Sequence, residues 1–338
     1  MLELNRCYCM DAVTGLKQLD AGSVNCCATS PPYYRLRDYG VDGQIGLEPT
    51  PEEYISRLVG VFHEVWRVLR DDGTLWINIG DSYATNSGAQ PPTNTRNKFG
   101  HTAKHTPAGY KQKDLIGIPW MLAFALREDG WYLRQDIIWN KPNPMPESVR
   151  DRCTKAHEYI FLLSKSPRYY FDQEAILEPV SLSTHMRISQ NLANQIGSYR
   201  ANGGVKTNGP MKAVSRKAQQ GEIGIVKNNA SWDQACCLPV KQRNKRDVWT
   251  VSTRPFKGAH FATFPPELIK PCILAGCPEG GTVLDPFMGS GTTLVTANNL
   301  DRNCIGFDIK RDYCNMGNKR RDGAMAQQSF FRKEIKGS

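Results

Sequence analysis

The sequence predicts an α/β fold in which a mostly parallel sheet carries helices on both faces. Three observations lead there. Short apolar runs alternate with amphipathic or Pro/Gly-bounded stretches toward both ends of the chain, the pattern of βα units. The clearest helix, at 52–70, repeats apolar residues at spacings of three and four (Ile55, Leu58, Phe62, Val65, Leu69). Near the far end, a strand-like run, TVLDPF, passes through a glycine turn, MGSG, into a helical stretch, TTLVTANNL.

Taken in order, RCYCMDA (6–12) reads as a short strand and TGLKQL as the start of a helix. SVNCCAT (23–29) is an apolar run bounded by turn residues, hence a buried strand, and it leads into TSPPYY. Asp-Asp-Gly is expected to end the 52–70 helix, with TLWINIGD (74–81) as the next strand. Residues 82–114 are polar and rich in Gly, Pro, Thr and Asn, a loop of a length that is usually functional or disordered. IPWMLAFALREDG opens with Pro119 and closes with Gly130, good helix punctuation. YLRQDIIWNKP and EYIFLLSKS read as strands, with RYYFD expected to pair with the second as a hairpin. From about 181 to 247 the chain is glycine-rich, amide-rich and basic, closing in KQRNKRD, and reads as an insertion. PPELIKPCILAGC is then helical and NCIGFDI a strand; no internal repeat is visible.

A chain of 338 residues can bury one large core or two domains. Its net charge of +10 suits a nucleic-acid partner. No apolar run is long enough to span a membrane, and MLELNRCYCMDAV lacks the pattern of a secretion signal, so a cytoplasmic protein is expected. The 11 cysteines include Cys7/Cys9, Cys26/Cys27 and Cys236/Cys237, without Cys-x-x-Cys spacing. Cys272 and Cys277 come nearest to a zinc pair, but no second pair follows. The thiols therefore read as reduced and mostly buried, and no metal site is expected.

Two motifs carry chemistry. In VLDPFMGSGTT a strand runs to Asp285, and Gly289-Ser290-Gly291 turn the chain into a helix near Thr292. Such a turn lets a ligand approach the backbone, and the helix start offers free N–H groups. About twenty residues on, NCIGFD ends in Asp308, where a doubly wound sheet holds ribose hydroxyls, so the spacing suits a ligand containing adenosine. Alone, a G-x-G is as readily a plain strand–turn–helix, and neither G-x-G-x-x-G nor the P-loop is present. TSPPYY alone would be a rigid capped loop with core aromatics.

Together, Ser30-Pro31-Pro32-Tyr33 and Asp285-Pro286-Phe287-Met288-Gly289-Ser290-Gly291-Thr292-Thr293 make the chain resemble the S-adenosylmethionine-dependent amino methyltransferases of DNA, whose catalytic motif is [DNS]-P-P-[YFW]. The catalytic motif first, the cofactor motif near the C-terminus and an insert between resemble the β-class order. GQIGLEPTPEEY, RQDIIWNKPNPMPESVRDR, AHEYIFLLSKSPRYYF and HFATFPPELI extend the match over nearly all of the chain outside 82–114 and 181–247.

The resemblance implies a doubly wound, mostly parallel seven-stranded methyltransferase sheet in circularly permuted order. The strand before Gly289 would be strand one, that ending in Asp308 strand two, RCYCMDA strand three and VNCCAT strand four. It implies a catalytic part at 1–180 with loop 82–114, a DNA target-recognition insert at 181–250, and a cofactor-binding part of the same domain at 251–338.

It implies roles as well. Ser30 Oγ and the Pro31 carbonyl would accept the hydrogens of an exocyclic amine, with Pro32 stiffening the backbone and Tyr33 stacking on a base extruded from the duplex. S-adenosyl-L-methionine would be held by Asp11, Phe261, Thr263, Asp285, Pro286, Phe287, Gly289, Ser290, Gly291, Thr292 and Asp308. DNA contacts are expected from Arg35, Arg37 and Lys141, and from Arg216, Lys217, Lys241, Arg243, Lys245 and Arg246 of the insert. Trp139-Asn140-Lys141-Pro142 would lie beside the target-base pocket or simply end a strand. His157 and Glu158 are expected to form a structural hydrogen-bond pair, and His260 with ATFPPELI to close over the cofactor's methionine end.

In the family, Asp at the first motif position goes mostly with N6-adenine and Ser mostly with N4-cytosine. The expected reaction is therefore N4-cytosine methylation of double-stranded DNA, with N6-adenine as the alternative. An inactive DNA-binding regulator and an RNA or protein amide methyltransferase are lesser readings. A cognate restriction endonuclease is a candidate partner, and monomer and homodimer both remain open.

Overall fold

The computed structural model describes residues 2–86, 106–181, 242–253 and 264–336. The chain divides into two compact units, Met1–Ala175 with Arg246–Ser338, and Ile176–Lys245.

The first unit is built on one sheet. Its strands are β1 (Arg6–Cys9), β2 (Val24–Thr29), β3 (Leu69–Ile79), β4 (Tyr132–Asn140), β5 (His157–Ser164), β8 (Val248–Thr250), β9 (Thr282–Asp285) and β10 (Asn303–Asp308). They lie in the order β1-β10-β9-β2-β3-β5-β4-β8. The first five in that order are parallel, β5 runs antiparallel to β3 and β4, and β8 is parallel to β4. The sheet thus has eight strands rather than seven, because the chain re-entering at Val248 adds one against β4.

The permuted order follows from the β1–β10 pair, which sets Arg6 against Ile305 and Cys9 against Asp308. Asn5, at φ 62, stitches this seam. Its side chain accepts from Cys304 N (2.9 Å) and Asn298 Nδ2 (2.6 Å). The outer edge of β1 is closed by Asn318, whose amide exchanges two 2.9 Å hydrogen bonds with the Cys7 backbone.

Six helices cover the sheet among the described residues: α1 (Ala12–Leu16), α2 (Pro51–Val68), α3 (Ile118–Glu128), α4 (Pro266–Gly276), α5 (Thr292–Asn299) and α6 (Arg311–Lys336). α2 forms where Thr50 caps Glu53 N, Pro51 opens the first turn, and Tyr54, Leu58, Phe62 and Val65 recur on one buried face. That face joins α1 and α3 over Leu75, Ile77, Ile79, Leu284, Ile305 and Phe307. Strand residues alternate, so Cys26 and Trp76 point to the opposite face, beside Gly276 of α4. α5 packs between α4 and α6.

Two local expectations differ. The Asp-Asp-Gly stretch does not end α2. The helix stops at Val68 and β3 already begins at Leu69, its register against β2 slipping between Val24 and Cys26 to absorb the extra residues. RYYFD forms no strand. Tyr170 N bonds Asp72 O and Asp172 N bonds Ala275 O, while Phe171 stacks on Trp76 at 6.3 Å, so packing across the sheet end replaces the hairpin.

In the second unit, β6 (Glu178–Pro179) pairs antiparallel with β7 (Gln242–Arg243), and Arg243 Nε meets Glu178 Oε1 at 2.8 Å. The segment between them lies outside the described residues. No helix among the described residues is long and apolar enough to cross a membrane.

Candidate active site

Parallel strands bring their carboxyl ends to one edge, and here β5 and β4 complete it. β5 enters that edge at His157, and β4 leaves it at Asn140. A cleft of about 1560 Å³ opens there, lined in sheet order by Asp11 and Asp308, then Pro286–Ser290, then Ser30–Tyr33, then Asn78, Asp81, Trp139, Lys141, Lys155, His157 and Glu158.

The glycine loop is fixed from beneath. Asp285 is 1% exposed and faces away from the cleft. Its Oδ1 accepts from Thr29 Oγ1 (2.6 Å) and Phe287 N (3.0 Å), and its Oδ2 from Thr293 Oγ1 (2.6 Å). Burial pushes this carboxyl up to about 6 against those three donors. Asp285 therefore ties the tip of β2 to the loop and the start of α5.

Gly291, at φ +81, begins α5 with its Cα position facing Gly317 of α6; a Cβ there would come within 2.6 Å of the Gly317 Cα. It too lies outside the cleft lining. Arg320 of α6 donates to Ser290 O (2.5 Å), Ser290 Oγ (2.9 Å) and Thr292 Oγ1 (3.5 Å), bracing the loop from the side. Gly306 lets the loop lie on β10, since a Cβ there would meet Met288 Cε at 2.1 Å and Asp285 O at 2.4 Å. Neither Arg320 nor Gly306 stands out in the sequence.

Asp308, at the tip of β10, lines the cleft. Oδ2 accepts from Gly289 N (2.9 Å) and Oδ1 from Lys310 N (2.8 Å). Burial raises the carboxyl to about 6, opposed by those two N–H groups. Each oxygen keeps a further lone pair. An acid so placed, beside a glycine loop and a helix start, is a donor set that fits ribose hydroxyls. Asp11 also lines the cleft, where it caps α1 through Thr14 N at 3.0 Å.

The Ser-Pro-Pro-Tyr motif follows β2 directly. The Pro32 carbonyl accepts from Tyr54 OH at 2.8 Å, which pins the loop to α2. The two tyrosines part company. Tyr34 is 3% exposed and packs on Tyr54, whereas Tyr33 faces the cleft. Its phenol donates to Glu158 Oε2 at 2.7 Å and lies 3.3 Å from Asn78 Oδ1. Asn78 Nδ2 donates to the same Glu158 oxygen at 3.2 Å, and Lys141 Nζ takes Oε1 while lying over the Trp139 ring at 4.3 Å. Burial, then Glu158, drives the Tyr33 phenol well up. The expected His157–Glu158 pair does not form. His157 packs edge-on to Tyr159, two residues along, as neighbours in a strand must diverge.

Lys155 and Asp81 are further residues that sequence reasoning missed. Lys155 Nζ donates to Asp81 O at 3.0 Å, and burial holds its ammonium below the usual range. Asp81 Oδ1 accepts from Gly117 N and Ile118 N, both at 3.0 Å, and so caps α3.

Of the expected DNA contacts, Arg37 lines the cleft. Lys141 does so with its charge engaged by Glu158. Arg35 is bonded to Glu48 O and Pro49 O. Arg243 pairs with Glu178 within the second unit, Lys245 is half-buried and Arg246 is exposed. Arg216, Lys217, Lys241, His260, Phe261 and Thr263 lie outside the described residues.

Solved structures share this architecture. PvuII DNA methyltransferase, a cytosine-N4-specific enzyme, superposes with a TM-score of 0.57 at 16% identity, covering 92% of this chain and 83% of that one. TTHA0409 of Thermus thermophilus, complexed with S-adenosyl-L-methionine, gives 0.54 at 19% identity, covering 94% and 93%. At these identities the likeness shows a shared α/β fold. Residues 24–319 match the N6/N4 methyltransferase model, described as DNA methylase. The type II methyltransferases M.Cfr9I of Citrobacter freundii and M.SmaI of Serratia marcescens are 44% and 43% identical, over 93% and 92% of this chain and 86% and 88% of theirs. The chain belongs to the N6/N4 DNA methylase family.

Proposed function

We propose that this chain methylates the exocyclic N4 of cytosine at a short site in double-stranded DNA, using S-adenosyl-L-methionine and extruding the base. The observation that carries the reading is Ser30, set in the cleft between the Asp308–Gly289 loop and the Tyr33–Glu158–Lys141 group. Asp308, Asp11 and the Pro286–Ser290 loop would hold the cofactor, with Asp285, Gly291 and Arg320 shaping that loop from behind. When bound, the cofactor supplies a methyl group already activated by its sulfonium.

What the chain adds is position. An aryl amine is a weak nucleophile because its lone pair is drawn into the ring. Ser30 Oγ and the Pro31 carbonyl accept its two hydrogens, so the lone pair is freed toward the methyl donor. Tyr54 holds the neighbouring Pro32 carbonyl and keeps that backbone still. Tyr33 offers its ring to the base, and Trp139 and Lys155 bound the same end of the cleft.

Ser rather than Asp at the head of the motif favours cytosine, because family members with Ser act mostly on N4. N6-adenine is the second reading, since both bases present a similar amidine edge. The segment 181–250 would choose the site, and the type II names of the relatives support a setting beside a cognate endonuclease. Nucleosides from mixed-sequence duplex incubated with enzyme and cofactor, separated by mass, are expected to contain N4-methylcytosine. N6-methyladenine as the only product would establish the second reading instead.

A further inference from the structure

The groups around the Tyr33 ring decide what else a base laid on it would meet. The ring is held by its bond to Glu158 Oε2 at 2.7 Å, and it passes so close to Gly80 that a Cβ there would come within 2.8 Å of Tyr33 Cε2. One residue on, the Asp81 carbonyl accepts from Lys155 Nζ at 3.0 Å. The Lys155 ammonium therefore stands on the Gly80–Asp81 side of the Tyr33 ring, in the cleft that Ser30 also lines.

The charges beside it are already matched. Lys141 is held by Glu158, and Arg152 by Glu147 at 2.6 Å. The Asp81 carboxylate is turned to backbone, its Oδ1 accepting from Ser82 N at 2.8 Å and from Gly117 N and Ile118 N at 3.0 Å. Lys155 forms no ion pair among the described residues. Its side chain bonds Asp81 O alone, which leaves two of its three N–H groups for a ligand. A half-buried cation with donors left over is stabilised when a ligand brings acceptors to it.

We propose that Lys155 is a specificity-determining residue whose ammonium donates to O2 of the extruded cytosine while Ser30 and Pro31 hold N4. The proposal rests on the N4-cytosine reading above. Along its Watson–Crick edge cytosine carries the amine and then two acceptors, N3 and O2. Adenine carries an amine, one acceptor at N1, and a C–H where O2 would be. An adenine in the cleft would set the ammonium against carbon, stripping water from it without giving an acceptor in return. A site built to hydrogen-bond its substrate discriminates most strongly against a partner that lacks the bonding atom. Ser30 alone cannot draw this distinction, because the two amines are alike.

The test pairs one side chain with one substrate atom. The full chain and Lys155→Met are assayed on duplex carrying cytosine, or 2-thiocytosine, at the methylated position; sulfur is a weak acceptor. On cytosine, Lys155→Met is expected to lower kcat/KM about tenfold to a hundredfold. The thio substitution is expected to slow wild type and to have little further effect on Lys155→Met, since both remove one bond. With adenine at the target, the variant is expected to be no slower than wild type. Cofactor affinity by calorimetry is expected to stay within about threefold. Losses that multiply, or a fall on cytosine and adenine alike with a shallower salt dependence, would mean that Lys155 meets phosphate or only supports the fold, and would overturn the proposal. So would wild-type kcat/KM in Lys155→Met. If that variant does not fold, Lys155→Gln, which keeps an N–H donor for Asp81 O, is put through the same cycle and judged by the same coupling. A wild-type enzyme that yields only N6-methyladenine overturns the cytosine reading and this inference together. One that yields N4-methylcytosine while the two losses multiply overturns the role of Lys155 only.

Discussion

On the proposed reading, Asp308 is the residue on which cofactor binding would most plainly turn. Its carboxyl stands near 6, and hydroxyl donors from a ribose favour the ionised form. Binding therefore tightens as pH rises through about 6 and levels off above it, and it weakens as the carboxyl takes up a proton below. Asp308→Ala is expected to lose about 1.5–3 kcal/mol, roughly tenfold or more in affinity, together with that pH dependence. Ser30→Ala is expected to bind the cofactor normally and turn over slowly. Calorimetry from pH 5 to pH 8 on both variants separates the two, and equal affinity in Asp308→Ala and wild type would remove Asp308 from the ribose site. The acid tip at Asp308 is legible in the sequence because strand, glycine turn and second strand lie within one stretch of chain. The setting of Glu158 is not. Its partners are Tyr33, 125 residues away, and Lys141, 17 residues away, and they meet only through strand order and the β4–β5 register. Nor could composition decide which tyrosine of TSPPYY turns inward, since that depends on the path after two prolines.

At the scale of elements, two contacts hold helices to the site without touching a ligand. The Asp81 carboxylate caps α3 through Gly117 N and Ile118 N. Asp81→Ala is expected to cost about 0.5–2 kcal/mol in a urea melt, the usual range for losing a helix cap, and an unchanged midpoint would show the cap to be idle. The Gly291–Gly317 crossing is tighter. At φ +81 and 2.6 Å from backbone, a Cβ at 291 meets strain and a helix that cannot yield as a side chain does. Gly291→Ala is expected to destabilise the fold by about 1–3 kcal/mol and to weaken cofactor binding as the loop shifts. A variant with wild-type melting and affinity would mean α6 moves freely away. The sequence shows why the loop needs glycine but not this second reason, because Gly317 looks like an ordinary weak spot in a helix. The early start of β3 was hidden likewise, since Asp-Asp-Gly has the composition of a turn and extends only because Leu69 pairs with Val24.

For the whole molecule, four strands, β1-β10-β9-β2, were legible from the arrangement of motifs, while the order of the rest and the eighth strand were not, for Val248–Thr250 is too short to announce itself. The proposed role of segment 181–250 in choosing the DNA site yields a further expectation. Neutralising Lys241, Lys245 and Arg246 together is expected to weaken binding to specific and random duplex alike and to flatten the dependence on salt, because phosphate contacts release counterions. Cofactor affinity is expected to stay as in wild type, since Asp308 and Gly289 belong to the sheet. Filter binding at several salt concentrations measures the first, and an unchanged slope would show that these charges do not reach phosphate.

The seam between β1 and β10 has a consequence for how the protein is made. Arg6 must wait for Ile305 before its strand has a partner, and the Cys7 backbone must wait for Asn318. While the chain is still emerging from the ribosome, β2 and β3 can pair, but β9, which completes the other side of β2, is not yet synthesised. Contacts this distant in sequence make folding slow. The nascent protein is thus expected to spend most of its synthesis with an open, apolar sheet edge, exposed to aggregation and to holding chaperones. It is also expected to be inert toward DNA until the glycine loop arrives, so that no partly made enzyme can mark the genome.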